Sequence, residues 1–143
     1  MPDRIFIDTN VLVYLFDSDT PAKQSVARRV LEGDGGDTHF VISTQVLQEF
    51  YVTVTRKLGT PLSEREAEGA TRDLASLDVV DVDVDMVFRA IAGARTHRIS
   101  LWDALIVEAG QTRSCRRLLT EDLQHGQLFG NLRVENPFRA LAH

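Results

Sequence analysis

The chain has 143 residues, 43% of them hydrophobic and 26% charged, with 21 acids against 16 lysines and arginines and a formal net charge of −5. That balance is ordinary for a globular protein and argues against a non-specific nucleic-acid coat, whose affinity comes from surplus cations. The length suits one domain over residues 1–143, no apolar run reaches bilayer-spanning length, so no membrane is expected, and no signal peptide follows Asp3 and Arg4. The lone cysteine, Cys115, cannot close an internal disulfide, which predicts a cytoplasmic, reduced setting and a packed, inert thiol.

The first strand is Ile5-Phe6-Ile7, a continuous apolar run of the kind a strand buried on both faces needs. It stops at Asp8-Thr9-Asn10. These residues suit a turn and helix cap, but an acid at the carboxyl end of a buried strand also stands where open α/β sheets bind ligands. Val11, Leu12, Leu15 and Phe16 predict a short helix ending near Asp17. Thr20 and Pro21 open a second helix, as cap and first helical residue, with Val26, Ala27, Val30 and Leu31 on its apolar face. The glycine-rich stretch Gly33–Asp37 stops it; with no Gly-Lys-Ser/Thr signature, it reads as a connector rather than a phosphate loop.

His39–Ser43 is the next strand, and Ser43 and Thr44 can cap a long helix over about Gln45–Leu58, stopped by Gly59. Glu49 falls on the flank of that helix's apolar face. There it either reaches the rim of the sheet or solubilises the boundary. After the break at Thr60-Pro61, Ser63 and Glu66 form a capping box for a surface helix to about Leu77. In Val79–Asp85 the acids Asp81, Asp83 and Asp85 alternate with valines, which predicts a solvated edge strand with Asp83 or Asp85 capping the following helix. The glycine and distal glutamate of a calcium loop are missing. Val87, Phe88 and Ile91 are that helix's expected buried stripe. After the connector His97–Ser100, Ser100 opens a helix carried by Leu105, Ile106 and Ala109, in which Asp103 reads equally as the acid of a capping pair. Arg117–Thr120 is a strand ending in Glu121-Asp122, so apolar run, hydroxyl and acid recur in the order seen at Asp8. A short strand near Leu132–Glu135 and the stop Asn136-Pro137-Phe138 follow.

Strands alternating with helices imply an α/β fold: a three-layer α/β/α sandwich with a mainly parallel central sheet. If the first and fourth strands are neighbours, Asp8 and Asp122 flank the topological switch point. Asp103 reaches the same rim, because a helix antiparallel to the fourth strand begins at that strand's carboxyl edge. Carboxylates gathered there repel one another unless cations balance them, and oxygen donors suit Mg²⁺ or Mn²⁺. His39, His97, His125 and His143 are scattered, lack zinc-site spacing and read as surface or packing residues. No Gly-x-Ser-x-Gly elbow is present. Carboxylate sites for Mg²⁺ mostly serve phosphates, so the residues alone reach metal-dependent phosphoryl transfer or hydrolysis.

Five segments together resemble the PIN-domain nucleases, particularly the VapC-like toxins of bacterial toxin–antitoxin pairs: Phe6-Ile-Asp-Thr-Asn10, Ile42-Ser-Thr-Gln-Val-Leu-Gln-Glu49, Ser100-Leu-Trp-Asp-Ala-Leu-Ile106, Leu118-Leu-Thr-Glu-Asp122 and Asn136-Pro-Phe138. They stand in family order and span nearly the whole chain. The resemblance implies that Asp8, Glu49, Asp103 and Asp122 are an acidic quartet binding Mg²⁺ or Mn²⁺, with Thr9, Asn10 and Thr120 as the polar residues beside it. The family pattern Thr-x-Asp selects Asp122 over Glu121. The implied activity is that of an endoribonuclease, with RNA as substrate, water activated by the metal, and 5′-phosphate and 3′-hydroxyl products. A homodimer and a cognate antitoxin whose tail occludes the acids are implied too. Arg113, Arg116 and Arg117 either contact phosphates or form a solvated turn. A haloacid-dehalogenase-like phosphatase is a rival reading, but it wants a second Asp where this chain has Asn10. An idle RNA-binding or regulatory module is another; the intact quartet argues against it. A receiver domain would need a Lys after the last strands.

Overall fold

A computed structural model describes residues 2–33 and 36–141; Met1, Asp34, Gly35, Ala142 and His143 lie outside the described residues, and with them the expectation for His143 and the middle of the glycine-rich connector. Twelve elements follow in order: β1 Asp3–Ile7, α1 Thr9–Tyr14, α2 Pro21–Glu32, β2 Thr38–Ser43, α3 Thr44–Arg56, α4 Glu64–Leu74, β3 Asp78–Val80, α5 Val84–His97, α6 Leu101–Thr112, β4 Arg117–Leu119, β5 Leu128–Phe129 and β6 Leu132–Glu135. The six strands form one sheet in the order β3-β2-β1-β4-β6-β5, parallel except for the β5–β6 pair. Among the described residues, no helix is long and apolar enough to cross a membrane.

The central position of β1 explains its composition. Phe6 pairs with Val41 of β2 on one side and Leu118 of β4 on the other. Ile5 and Leu119 face Val26 and Val30 of α2 across a cavity of about 550 Å³. Phe6 instead faces α6, since a Cβ built on Gly110 would lie 3.5 Å from the Phe6 Cβ and 3.1 Å from Leu132 Cδ2. Neighbouring residues on a strand point to opposite faces, so α2 and α6 cover opposite sides of the sheet. The chain steps from β1 to β2 to β3 in one direction, then returns over both strands to β4. Right-handed crossovers therefore place α1–α4 on one face and α5–α6 on the other. This is the expected three-layer α/β/α arrangement, with β1 and β4 adjacent.

Local signals set most boundaries. Asp8 caps α1, its Oδ1 accepting from Thr9 N at 2.7 Å. Ser43 caps α3, while Thr44 Oγ1 accepts from Val82 N at 3.1 Å and ties the start of α3 to the chain after β3. The Ser63–Glu66 box is reciprocal, with bonds of 3.1 Å each way. Thr20 makes no side-chain cap; its hydroxyl bonds the Asp17 carbonyl, and Pro21 alone marks the start of α2. Cys115 is buried, and desolvation pushes its thiol up to about 12, the inert state expected of it.

Two expectations need correction, and one open alternative is decided. The alternation through Asp85 does not extend the strand: β3 is an edge strand but stops at Val80, because Asp83 turns the chain into α5 by accepting from Met86 N at 2.9 Å. That cap also sets the rotation of α5. Met86 and Ala90 are buried and Val87 is partly buried against the core, as expected of it, while Phe88 and Ile91 are exposed at 66% and 39% and Val84 at 70%, so the expected stripe holds at Val87 and fails at Phe88 and Ile91. Of the two readings of Arg113, Arg116 and Arg117, the charged turn holds: they stand at the amino end of β4, the end remote from Asp8. Arg117 pairs with Asp3 at 2.7 Å and Glu135 at 3.1 Å, and Arg113 with Asp78 at 3.1 Å.

Gly110 lets α6 lie close on β1 and β6. Gly110→Val forces two added methyl groups against the buried Leu132 and costs about 1–3 kcal/mol, read as a lower Tm in thermal unfolding.

Candidate active site

Four segments distant in sequence meet at the carboxyl rim of the sheet. Asp8 leaves β1, Glu49 projects from α3, Asp103 lies in the first turn of α6, and Asp122 follows β4. All four line one cavity of about 610 Å³. Thr120, one residue past β4, joins the first and last of these segments. Its hydroxyl donates to Asp8 Oδ2 at 2.8 Å and accepts from Asp122 N at 3.0 Å. The Asn10 amide nitrogen reaches Asp8 Oδ2 at 3.4 Å, Thr120 Oγ1 at 3.2 Å and Asp122 Oδ2 at 3.1 Å, and its oxygen accepts from Glu121 N at 3.3 Å. Thr9 donates to Glu49 Oε1 at 2.9 Å. Thr9, Asn10 and Thr120 thus hold the acids from behind.

The neighbouring carboxylates Glu121 and Asp122 have different surroundings. Glu121 turns away from the cavity to bond the Tyr14 hydroxyl and Lys23 Nζ, the latter at 3.0 Å. Lys23 also lies 4.7 Å from the centre of the Tyr14 ring. Asp122 faces the other acids. This arrangement separates the two as the Thr-x-Asp pattern does.

The electrostatics reflect the crowding. Asp8 is only 5% exposed; burial, then the charges of Asp122 and Glu49, push its carboxyl up to about 7 against the hydrogen bonds of Thr120 and Thr9. Asp103 is raised by partial burial, and further by Asp122 and Glu49. Such a donor set suits a hard divalent cation in chemistry and in charge. As the side chains stand, the acids share a cavity without converging: among the described residues, no group of three or more His, Cys, Asp or Glu is placed to hold a metal ion.

Sequence reasoning missed several other residues here. Lys57, at the end of α3, is the one cation lining this cavity among the described residues. Gln45 is buried; its Nε2 donates to the Trp102 carbonyl at 3.2 Å and lies 3.5 Å from Glu49 Oε2, and its Oε1 has no hydrogen-bond partner. Trp102 lines the cavity and stays exposed. An apolar residue beside a helix start carries no signal for this, because periodicity reports which face is buried and not what an exposed face is for. The described histidines, His39, His97 and His125, stand apart from the four acids of the cavity. His39 pairs with Asp78, His97 packs edge-on against Phe129, and His125 accepts from Asn136 N.

A protein-family model described as PIN domain matches residues 5–128. No curated protein sequence matches the chain. Several solved structures share its fold. A toxin–antitoxin complex from Klebsiella pneumoniae superposes with a TM-score of 0.69 at 20% identity, covering 93% of this chain and 97% of that one. Mycobacterium tuberculosis VapC20, a toxin that cleaves the sarcin–ricin loop, gives 0.64 at 21% identity, covering 80% and 86%. DNA-bound VapBC from Salmonella typhimurium gives 0.65 at 17% identity, covering 96% and 99%.

In metal-free solution the Asp8 proton is held more tightly folded than unfolded, because its ordinary value is 3.8. Its contribution to stability is therefore full below pH 3.8, is lost as pH rises towards 7, and stays lost above. Thermal unfolding in chelator should show Tm falling over that window, with a shallower fall in Asp8→Asn. Added Mg²⁺ or Mn²⁺ should raise Tm more at pH 8 than at pH 5, because protons compete with the cation.

Proposed function

The chain belongs to the PIN-domain family, and on that premise we propose that it is a Mg²⁺- or Mn²⁺-dependent endoribonuclease, the toxin of a toxin–antitoxin pair. The observation that carries this reading is that Asp8, Glu49, Asp103 and Asp122, from four segments distant in sequence, line one cavity at the β1/β4 switch point. Asp8 and Asp122 would hold the cation most directly, and Asp103 would complete its surroundings. Glu49 binds through water or orients the attacking water. Thr9, Asn10 and Thr120 keep the carboxylates aimed. Bound there, Mg²⁺ or Mn²⁺ supplies a Lewis acid that activates water and offsets phosphate charge. Water adds to phosphorus, the bond to the 3′ oxygen breaks and that oxygen takes up a proton, leaving a 5′-phosphate and a 3′-hydroxyl.

Relatives of this fold occur in complexes with antitoxins, which supports a small protein partner that masks the acids, and a homodimer accompanies this reading. The rival phosphatase reading loses its second aspartate to Asn10, whose amide nitrogen instead draws Asp8 and Asp122 together.

Purified protein should cut structured RNA with Mn²⁺ or Mg²⁺, and chelator should stop it. Asp8→Asn and Asp122→Asn should each lower the rate by at least about a hundredfold while leaving the circular dichroism spectrum intact, whereas Glu121→Gln should keep most activity. Metal-dependent cutting that survives Asp8→Asn would sink the assignment. Absence of cutting by the wild type on several RNAs would favour a binding module.

A further inference from the structure

Trp102 is the only tryptophan in the chain and is 62% exposed. Leaving an indole in water forgoes one of the largest burial gains a side chain can make. The fold does not leave it out for want of order. Ser100 caps α6, Ala104 and Leu105 of the next turn are buried, and the Trp102 carbonyl is pinned by Gln45 Nε2. The indole is therefore presented from a fixed backbone, and it lines the same cavity as Asp103, its neighbour in sequence, and the other three acids. Val52, 44% exposed, adds an apolar surface to that cavity. The buried Gln45 Oε1 beside it lacks a donor, and such an acceptor costs free energy until one arrives. The exposed α5 stripe of Val84, Phe88 and Ile91 lies outside this cavity and is a separate surface.

We propose that Trp102 is the base-stacking platform of this site. It receives the face of an unpaired nucleobase next to the scissile phosphate, with Gln45 as the residue that positions it. The proposal rests on the ribonuclease reading above and adds to it the residue that contacts the base. An aromatic face accepts any base but needs it out of its own stack. The preferred RNA therefore presents a single-stranded or splayed nucleotide at the cut, and continuous duplex is a poor substrate.

Two measurements test this together. In the first, KM and kcat are compared for wild type, Trp102→Phe and Trp102→Ala on an RNA hairpin cut in its loop. Trp102→Ala should raise KM roughly tenfold, the size of one lost base–aromatic stack, with kcat within about twofold, and Trp102→Phe should recover most of the loss. In the second, the fluorescence of the sole tryptophan is followed in Asp8→Asn with Mg²⁺. It should be quenched as the loop RNA binds and unchanged by a fully paired duplex. Wild-type KM in Trp102→Ala, or unquenched fluorescence when a gel shift shows the RNA bound, overturns the stacking role while the nuclease stands. Trp102→Ala eluting from gel filtration as a different oligomer also overturns it, since the indole is then a protein contact. A wild type that neither cuts nor binds RNA takes down both readings.

Discussion

Burial of the Asp8 carboxylate at the end of the central strand constrains most of the rim around it. β1 has a neighbour on each side and a helix on each face, so the residue that ends it cannot escape into solvent. Its backbone N–H is committed to Leu119 O at 3.0 Å, which continues the β1–β4 ladder one residue past the strand. An isolated charge in that position is costly. The surrounding residues answer with hydroxyl, amide and backbone donors, and the remaining imbalance is the kind a divalent cation corrects. Thr120 is placed by the same ladder, since its N–H bonds Glu135 O of β6 at 3.1 Å.

Much of this was legible because the signals are local. A run of three apolar residues, a capping side chain or Ser-x-x-Glu says what its own segment does, whatever lies elsewhere. Asp8, Ser43, Ser63 and Ser100 all cap the helices their positions announce. The acids could be gathered in advance because crossover handedness and strand adjacency are general rules. The failures came where two local signals competed or where distance decided. At Asp81–Asp85 a period of two suggested strand, but the capping tendency of Asp83 won. The same cap rotated α5 and left Phe88 outside. Distance also decided the alternative left open for the arginines after α6: they look close to Asp122 along the chain, yet a strand lies between them and places them at opposite rims, as a charged turn.

Glu121 and Asp122 show how little chemistry separates a structural carboxylate from a candidate catalytic one. At the bend after β4 the two adjacent side chains leave in different directions. One side offers a lysine and a tyrosine, which neutralise Glu121 within a small network. The other offers the Asn10 amide and the remaining acids of the cavity. The difference in role follows from direction rather than from side-chain type.

Strand order has a consequence for the history of each molecule. Asp8 is synthesised more than a hundred residues before its neighbour β4 and the clasp of Thr120 and Asp122. Until then β1 has β2 on one side and an open edge on the other, and Asp8 has no Thr120 hydroxyl to receive. The cluster of acids cannot exist on a growing chain before β4 has slotted into that edge.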